Sequence, residues 1–158
     1  MLLRSFALAA LLLSSTACIS VRRPGGGDGG PPETFLRTTA DTRTTRLIDV
    51  REGMTKAVLW RVLGEALQGH AVDVRDQQAG FMMTSWETNV VRNGVPDLRY
   101  RTRVTTRFVG EEWKQVQLRV EANWRSEGGE EWDVGTDISL LERMAAELRV
   151  RLGKPQPR

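Results

Sequence analysis

Two long stretches of the chain alternate apolar and polar residues with a period of two. From Leu98 to Phe108, the residues Leu98, Tyr100, Thr102, Val104, Thr106 and Phe108 fall on one side, and Arg99, Arg101, Arg103 and Arg107 on the other. From Trp113 to Arg125, Val116, Leu118, Val120, Ala122 and Trp124 oppose Gln115, Gln117, Arg119, Glu121 and Asn123. This pattern predicts two strands that bury one face and leave the other in water, as antiparallel sheets do. A loop of Gly110 to Glu112 would set Val104 opposite Leu118 and Arg101 opposite Glu121, keeping both apolar sets together. Helical spacing appears twice. Leu59, Val62, Leu63, Ala66 and Leu67 predict a helix within Gly53–Gln68, and Ile138, Leu141, Ala145, Leu148 and Leu152 predict one over Asp137–Leu152. Ser139 and Glu142 have capping-box spacing, and Gly153 suits the position after the last turn. Shorter strands are expected at Leu47–Val50, Ala71–Asp76 and Phe81 to about Val91, with turns at 76–80 and 92–97. The order β-α-β-β-β-β-α predicts an α+β fold, an antiparallel sheet of four to five strands with both helices packed on its apolar face.

The first residues follow a different rule. Arg4, an apolar run from Phe6 to Leu13, and Ser14, Ser15, Thr16 and Ala17 lead into Cys18, the single cysteine of the chain. This resembles a bacterial lipoprotein signal peptide, which implies cleavage after residue 17 and a lipid on the Cys18 thiol. The run is too short for a spanning helix, which needs about 20 apolar residues. A lone cysteine has no partner for an internal disulfide in an oxidising envelope. Ile19 after the cysteine implies outer-membrane sorting, with the periplasmic face favoured. Residues 24–32, PGGGDGGPP, have a linker composition. The organisation expected is a leader over 1–17, a lipidated cysteine and tether over 18–45, one domain over 46–154 and a tail over 155–158.

The net charge of +3 and pI near 9.6 suggest a nucleic-acid binder until the charge is divided by region. Between Glu33 and Gly153 there are 18 Arg and Lys against 19 Asp and Glu, so the folded part is close to neutral and no nucleic-acid partner is expected. No catalytic constellation appears. His70 is the only histidine and sits at the end of the first predicted helix, where it caps carbonyls or faces solvent. With one His and one Cys there is no transition-metal set, and no phosphate-binding glycine loop follows a strand, so no metal or cofactor is expected. Glu111-Glu112 and Glu130-Glu131 fall at predicted turns. The stripe of Arg99, Arg101, Arg103 and Arg107, with Arg119, Glu121 and Glu87 on the same face, has two readings: a solvated face of cross-strand ion pairs, or a binding face for an acidic or phosphate-bearing partner. The five tryptophans read mostly as core, but Trp113 falls beside Gln115 on the polar face, where it would be a partner anchor.

From Val72 to Lys154, VDVRDQQAGFMMTSWE, then DLRYRTRVTTRF, then EEWDVGTDISLLERMAAELRVRLGK, the chain resembles a domain of the BamC (NlpB) lipoproteins, accessory parts of the outer-membrane β-barrel assembly machinery. Gly80 with Thr84 and Trp86, the Arg/Tyr alternation at Arg99–Arg103, Trp132 before Asp137, and Leu152-Gly153 carry the likeness. It implies a helix-grip fold, an outer-membrane lipoprotein that binds protein partners in the envelope, and no active site. The chain has one such domain where that family has two. Two other classes are kept: a lipopolysaccharide-assembly-type lipoprotein, whose Arg face would meet lipid phosphate, and a carrier holding an apolar molecule between helix and sheet.

Overall fold

The computed structural model describes residues 30–154 apart from residue 93. The leader, Cys18 and the tail over 155–158 lie outside the described residues. The fold is α+β, with nine strands and two helices among the described residues: β1 Phe35–Arg37, β2 Thr45–Asp49, α1 Lys56–Ala66, β3 Val72–Asp76, β4 Phe81–Thr84, β5 Val91–Arg92, β6 Val95–Pro96, β7 Tyr100–Val109, β8 Gln115–Trp124, β9 Asp133–Asp137 and α2 Ile138–Leu152. Seven strands form one sheet in the order β1-β9-β8-β7-β4-β3, with β2 also paired to β8, and every pairing is antiparallel. β5 and β6 make a separate hairpin.

The long strands β7 and β8 form the centre, as their alternation predicts. Tyr100, Thr102, Val104, Thr106 and Phe108 of β7 and Val116, Leu118, Val120 and Ala122 of β8 are buried on the inner face. Leu59 and Leu63 from the first helix, Leu67 at its C-cap, and Leu141, Leu148 and Leu152 from the second helix close over them in one cluster. Each such side chain contributes about 1.5–3 kcal/mol by leaving water. α2 lies against β2 and β8, with α1 beside it. Thr55 caps α1 by accepting from the Val58 N–H. Asp137, not Ser139, caps α2, accepting from the Leu140 N–H at 2.9 Å. Glu142 is then free to pair with Arg46 of β2.

Several expectations are corrected. The sheet has seven strands where four to five were expected, because two short ones carry too few residues to show a period: β1 pairs with β9, and β9 pairs with the last residues of β8. Strand β1 and the first residue of β2 thus lie before residue 46. Phe35 packs edge-on to Tyr100, with ring centroids 6.1 Å apart. The register of β7 on β8 is shifted by two residues, setting Val104 opposite Val120 and Arg103 opposite Glu121. The connection between Val109 and Gln115 is longer than expected because Gly110 and Trp113 both take positive φ, 77° and 54°, folding the loop back on itself. A shift of two leaves every side chain on its predicted face, so the apolar pattern survives the error. The strand expected to reach Val91 stops at Thr84, after which only Glu87 bridges to Thr102. Gly153 is not left-handed; a Cβ there would lie 2.4 Å from the Arg149 carbonyl oxygen, so close approach explains the glycine.

Candidate binding surface

Residues of β7 and β8 that point away from the helices meet no other layer among the described residues. In the middle of this outer face, Arg103 donates from Nε to Glu121 Oε2 at 2.9 Å, and Arg119 reaches the other carboxylate oxygen at 3.1 Å. That part of the stripe is the cross-strand-paired face allowed by the sequence.

Arg101 is different. Its guanidinium lies 4.6 Å from the ring centre of Trp86 and 4.1 Å from that of Trp132. Arg103 lies over Trp86 at 4.6 Å, and Arg125 over Trp132 at 4.8 Å. The result is a cross-sheet stack, Arg103–Trp86–Arg101–Trp132–Arg125, alternating cation and ring. The topology explains it: the Glu87–Thr102 bridge sets Trp86 beside Arg101 and Arg103, and Trp132 precedes Asp133, which pairs with Trp124 beside Arg125. Ring faces attract cations by about 0.5–1 kcal/mol at exposed sites, and more when water is excluded. The Arg101 Nε is buried without a hydrogen-bond partner in the protein, so its compensation comes from the two indoles. Among the described residues no carboxylate is paired with Arg101, Arg107 or Arg125, and Arg107 is exposed opposite Gln117.

The other candidates separate. Arg99 precedes β7 and turns back onto Asp97, with Nε donating to Oδ1 at 2.9 Å and a second nitrogen to Oδ2 at 3.2 Å, so it does not join the stripe. Trp113 is not on the polar face. It is buried, stacked on Phe108 under the sheet's inner side, because the positive φ at this residue reverses the alternation just before β8 begins. Glu87 also leaves the outer face. Its Oε2 accepts from Asn89 at 3.1 Å and lies 2.8 Å from His70 Nδ1, while Oε1 accepts from the Ala71 N–H at 2.8 Å. Burial alone would raise the Glu87 pKa, but the bonds from His70, Asn89 and Ala71 and the charge of His70 outweigh it and hold the carboxyl below its ordinary value.

Glu87 and His70 line a cleft of about 560 Å³ with Tyr100, Asp137 and Arg143, between the end of the first helix and the start of the second. The Tyr100 hydroxyl donates to Asp137 at 2.9 Å; burial, then that carboxylate's charge, pushes its pKa well above the ordinary value. A second cleft of about 840 Å³ opens at the other end of β7 and β8, between Asp49–Met54 and the 110–115 loop. Among the described residues no group of His, Cys, Asp and Glu could hold a metal ion, and no helix is long and apolar enough to cross a membrane.

The aromatic half of the stack was not legible as a site. Trp86 lies in an irregular segment, and Trp132 precedes a strand of five residues. The available signal was the alternation of Trp132, Val134 and Thr136 against Asp133, Gly135 and Asp137. No protein-family model matches the chain, and no curated protein is significantly similar to it.

Proposed function

We propose that this chain is a lipid-anchored, non-catalytic accessory protein of the bacterial outer membrane, attached through Cys18, whose helix-grip-like domain binds protein partners in envelope or β-barrel assembly. Its partner surface is the outer sheet face. One observation carries the reading: Arg101 is clamped between Trp86 and Trp132, with Arg125 over the same Trp132, Arg107 further along β7 and, among the described residues, no carboxylate on any of the three. Arginine and tryptophan supply much of the energy of protein interfaces, and a guanidinium already held by two rings loses little further freedom on binding. The likeness of Gly80, Trp86, Arg99–Arg103 and Trp132 to the BamC pattern supports the same class of partner.

A second reading, a lipopolysaccharide-assembly-type lipoprotein, is favoured by the same three cations, which suit phosphate as well as carboxylate. The test is capture of the natively lipidated protein from gently solubilised envelopes, beside an Arg101→Ser/Arg107→Ser variant, with mass spectrometry of proteins and lipids. Barrel-assembly components recovered with the parent and lost with the variant support the proposal. Lipopolysaccharide enriched without protein selects the second reading, and equal recovery with both chains removes the interface from this face.

A further inference from the structure

The β5–β6 hairpin carries the most exposed cluster of apolar side chains near the start of β7. Val91 is 62% exposed, Val95 65% and Leu98 71%, with Pro96 between them also exposed. Single exposed apolar residues are ordinary, but three within eight residues on a projecting hairpin are not. The one carboxylate of this segment is withdrawn from its surface. Asp97 is 7% exposed, both of its oxygens accept from Arg99, and its N–H donates to the Val90 carbonyl at 2.7 Å. The hairpin thus presents apolar surface with no negative charge to keep it in water.

Its base is tied to the place where the chain enters the domain. The Tyr100 N–H donates to the Asp97 carbonyl at 3.1 Å, the Tyr100 hydroxyl donates to Asp137, and the Thr34 hydroxyl donates to the same Asp137 oxygen at 3.0 Å. The Ile138 N–H then binds the Thr34 carbonyl at 2.9 Å. From Cys18 to Gly30 the chain spans at most about 40 Å.

We propose that the hairpin is a second membrane contact, with Val91, Val95 and Leu98 entering the acyl boundary of the bilayer that holds the lipid of Cys18. This rests on the lipid-anchor reading above. Once the chain is anchored, contact between hairpin and bilayer is intramolecular, so a modest apolar area suffices to keep it there. Segments that lie in this interface bury an apolar face, and Val91, Val95 and Leu98 supply one.

The experiment uses the full lipidated chain reconstituted in phosphatidylethanolamine/phosphatidylglycerol vesicles. With Cys18 acylated, Val95→Cys offers one thiol for a nitroxide label, and Val150→Cys, 78% exposed near the end of the second helix, serves as the reference. Mass spectrometry of the Cys18 peptide reads the anchor independently. The label at 95 is expected to favour collision with oxygen over a water-soluble nickel chelate severalfold more than the label at 150. Equal, water-like accessibility at both positions, with Cys18 acylated, overturns the hairpin contact and leaves the anchor standing. An unmodified Cys18 overturns both.

Discussion

The indole of Trp113 lies flat on the ring of Phe108, with centroids 4.4 Å apart and planes 1° from parallel. Gly80 makes the arrangement fit, since a Cβ there would stand 2.8 Å from Trp113 Cζ2 and 3.1 Å from the Phe108 Cβ, on a backbone with φ of +63°. Gly80→Ala therefore combines a left-handed conformation with overpacking and is expected to cost about 3 kcal/mol. Urea unfolding measures it. An unchanged midpoint would show that the indole does not occupy this place.

Glu87 gives the fold an acid-sensitive tie between the end of the first helix and the bridge to Thr102. Its carboxyl is held below the ordinary 4.5, so the unfolded chain takes up the proton first as pH falls. The stabilisation is fully present above pH 4.5 and disappears as pH drops through the folded value. Glu87→Gln is expected to lower stability by about 1–2 kcal/mol near neutrality. The difference from the parent should close in acid. A constant difference down to the lowest pH that keeps the chain folded would contradict the assignment.

Tyr100 is the only tyrosine, so its ionisation can be followed without interference. Desolvation, then the Asp137 charge and hydrogen bond, raise its pKa above the ordinary 10.0, so the unfolded chain ionises first as pH rises. Stability should therefore fall with pH above 10.0, with tyrosinate absorbance appearing only as the protein unfolds. Tyr100→Phe should remove this alkaline slope at a cost of about 1 kcal/mol at neutral pH. Tyrosinate forming at pH 10.0 in a folded chain would refute the buried pairing.

Replacing Arg101 by Lys keeps the charge and removes the plane that both indoles stack on. The expected loss is about 1 kcal/mol, with a changed near-ultraviolet circular dichroism from Trp86 and Trp132. Arg107→Ser, at an exposed position with no such contact, should stay within about 0.5 kcal/mol of the parent. Identical spectra for parent and Arg101→Lys would mean the stack does not hold in solution.

What could be read from the sequence followed the length of each periodic run. Ten-residue strands such as β7 and β8 show their inner and outer faces whatever the register, which is why Val104 and Arg101 fall on the expected sides although they face Val120 and Asn123 and not Leu118 and Glu121. The Leu-rich faces of both helices depend on local spacing and were legible for the same reason, whereas the Thr55 cap of α1 was not read and the cap of α2 falls on Asp137 and not Ser139. β1, three residues long, acquires its place only through β9 and Tyr100, contacts about a hundred residues apart for Phe35 and Asp137. Trp113 was misplaced because one positive φ breaks the alternation, and no residue type announces that for a tryptophan. The Arg stripe was visible; the rings that interleave it came from a loop and a strand edge.

One edge of β8 is shared end to end by β2 and β9, and Val50, just past β2, bridges to Gly153 while the Arg51 N–H binds the Leu152 carbonyl at 2.7 Å. The beginning and the end of the domain are thus stitched to the same central strand. A chain delivered from its N-terminus, by a ribosome or through a pore, has nothing with which to finish this edge until β9 emerges, and Val50 gains its bridge only with residue 153. These pairings join residues far apart in the chain, so their loop closure falls late in synthesis.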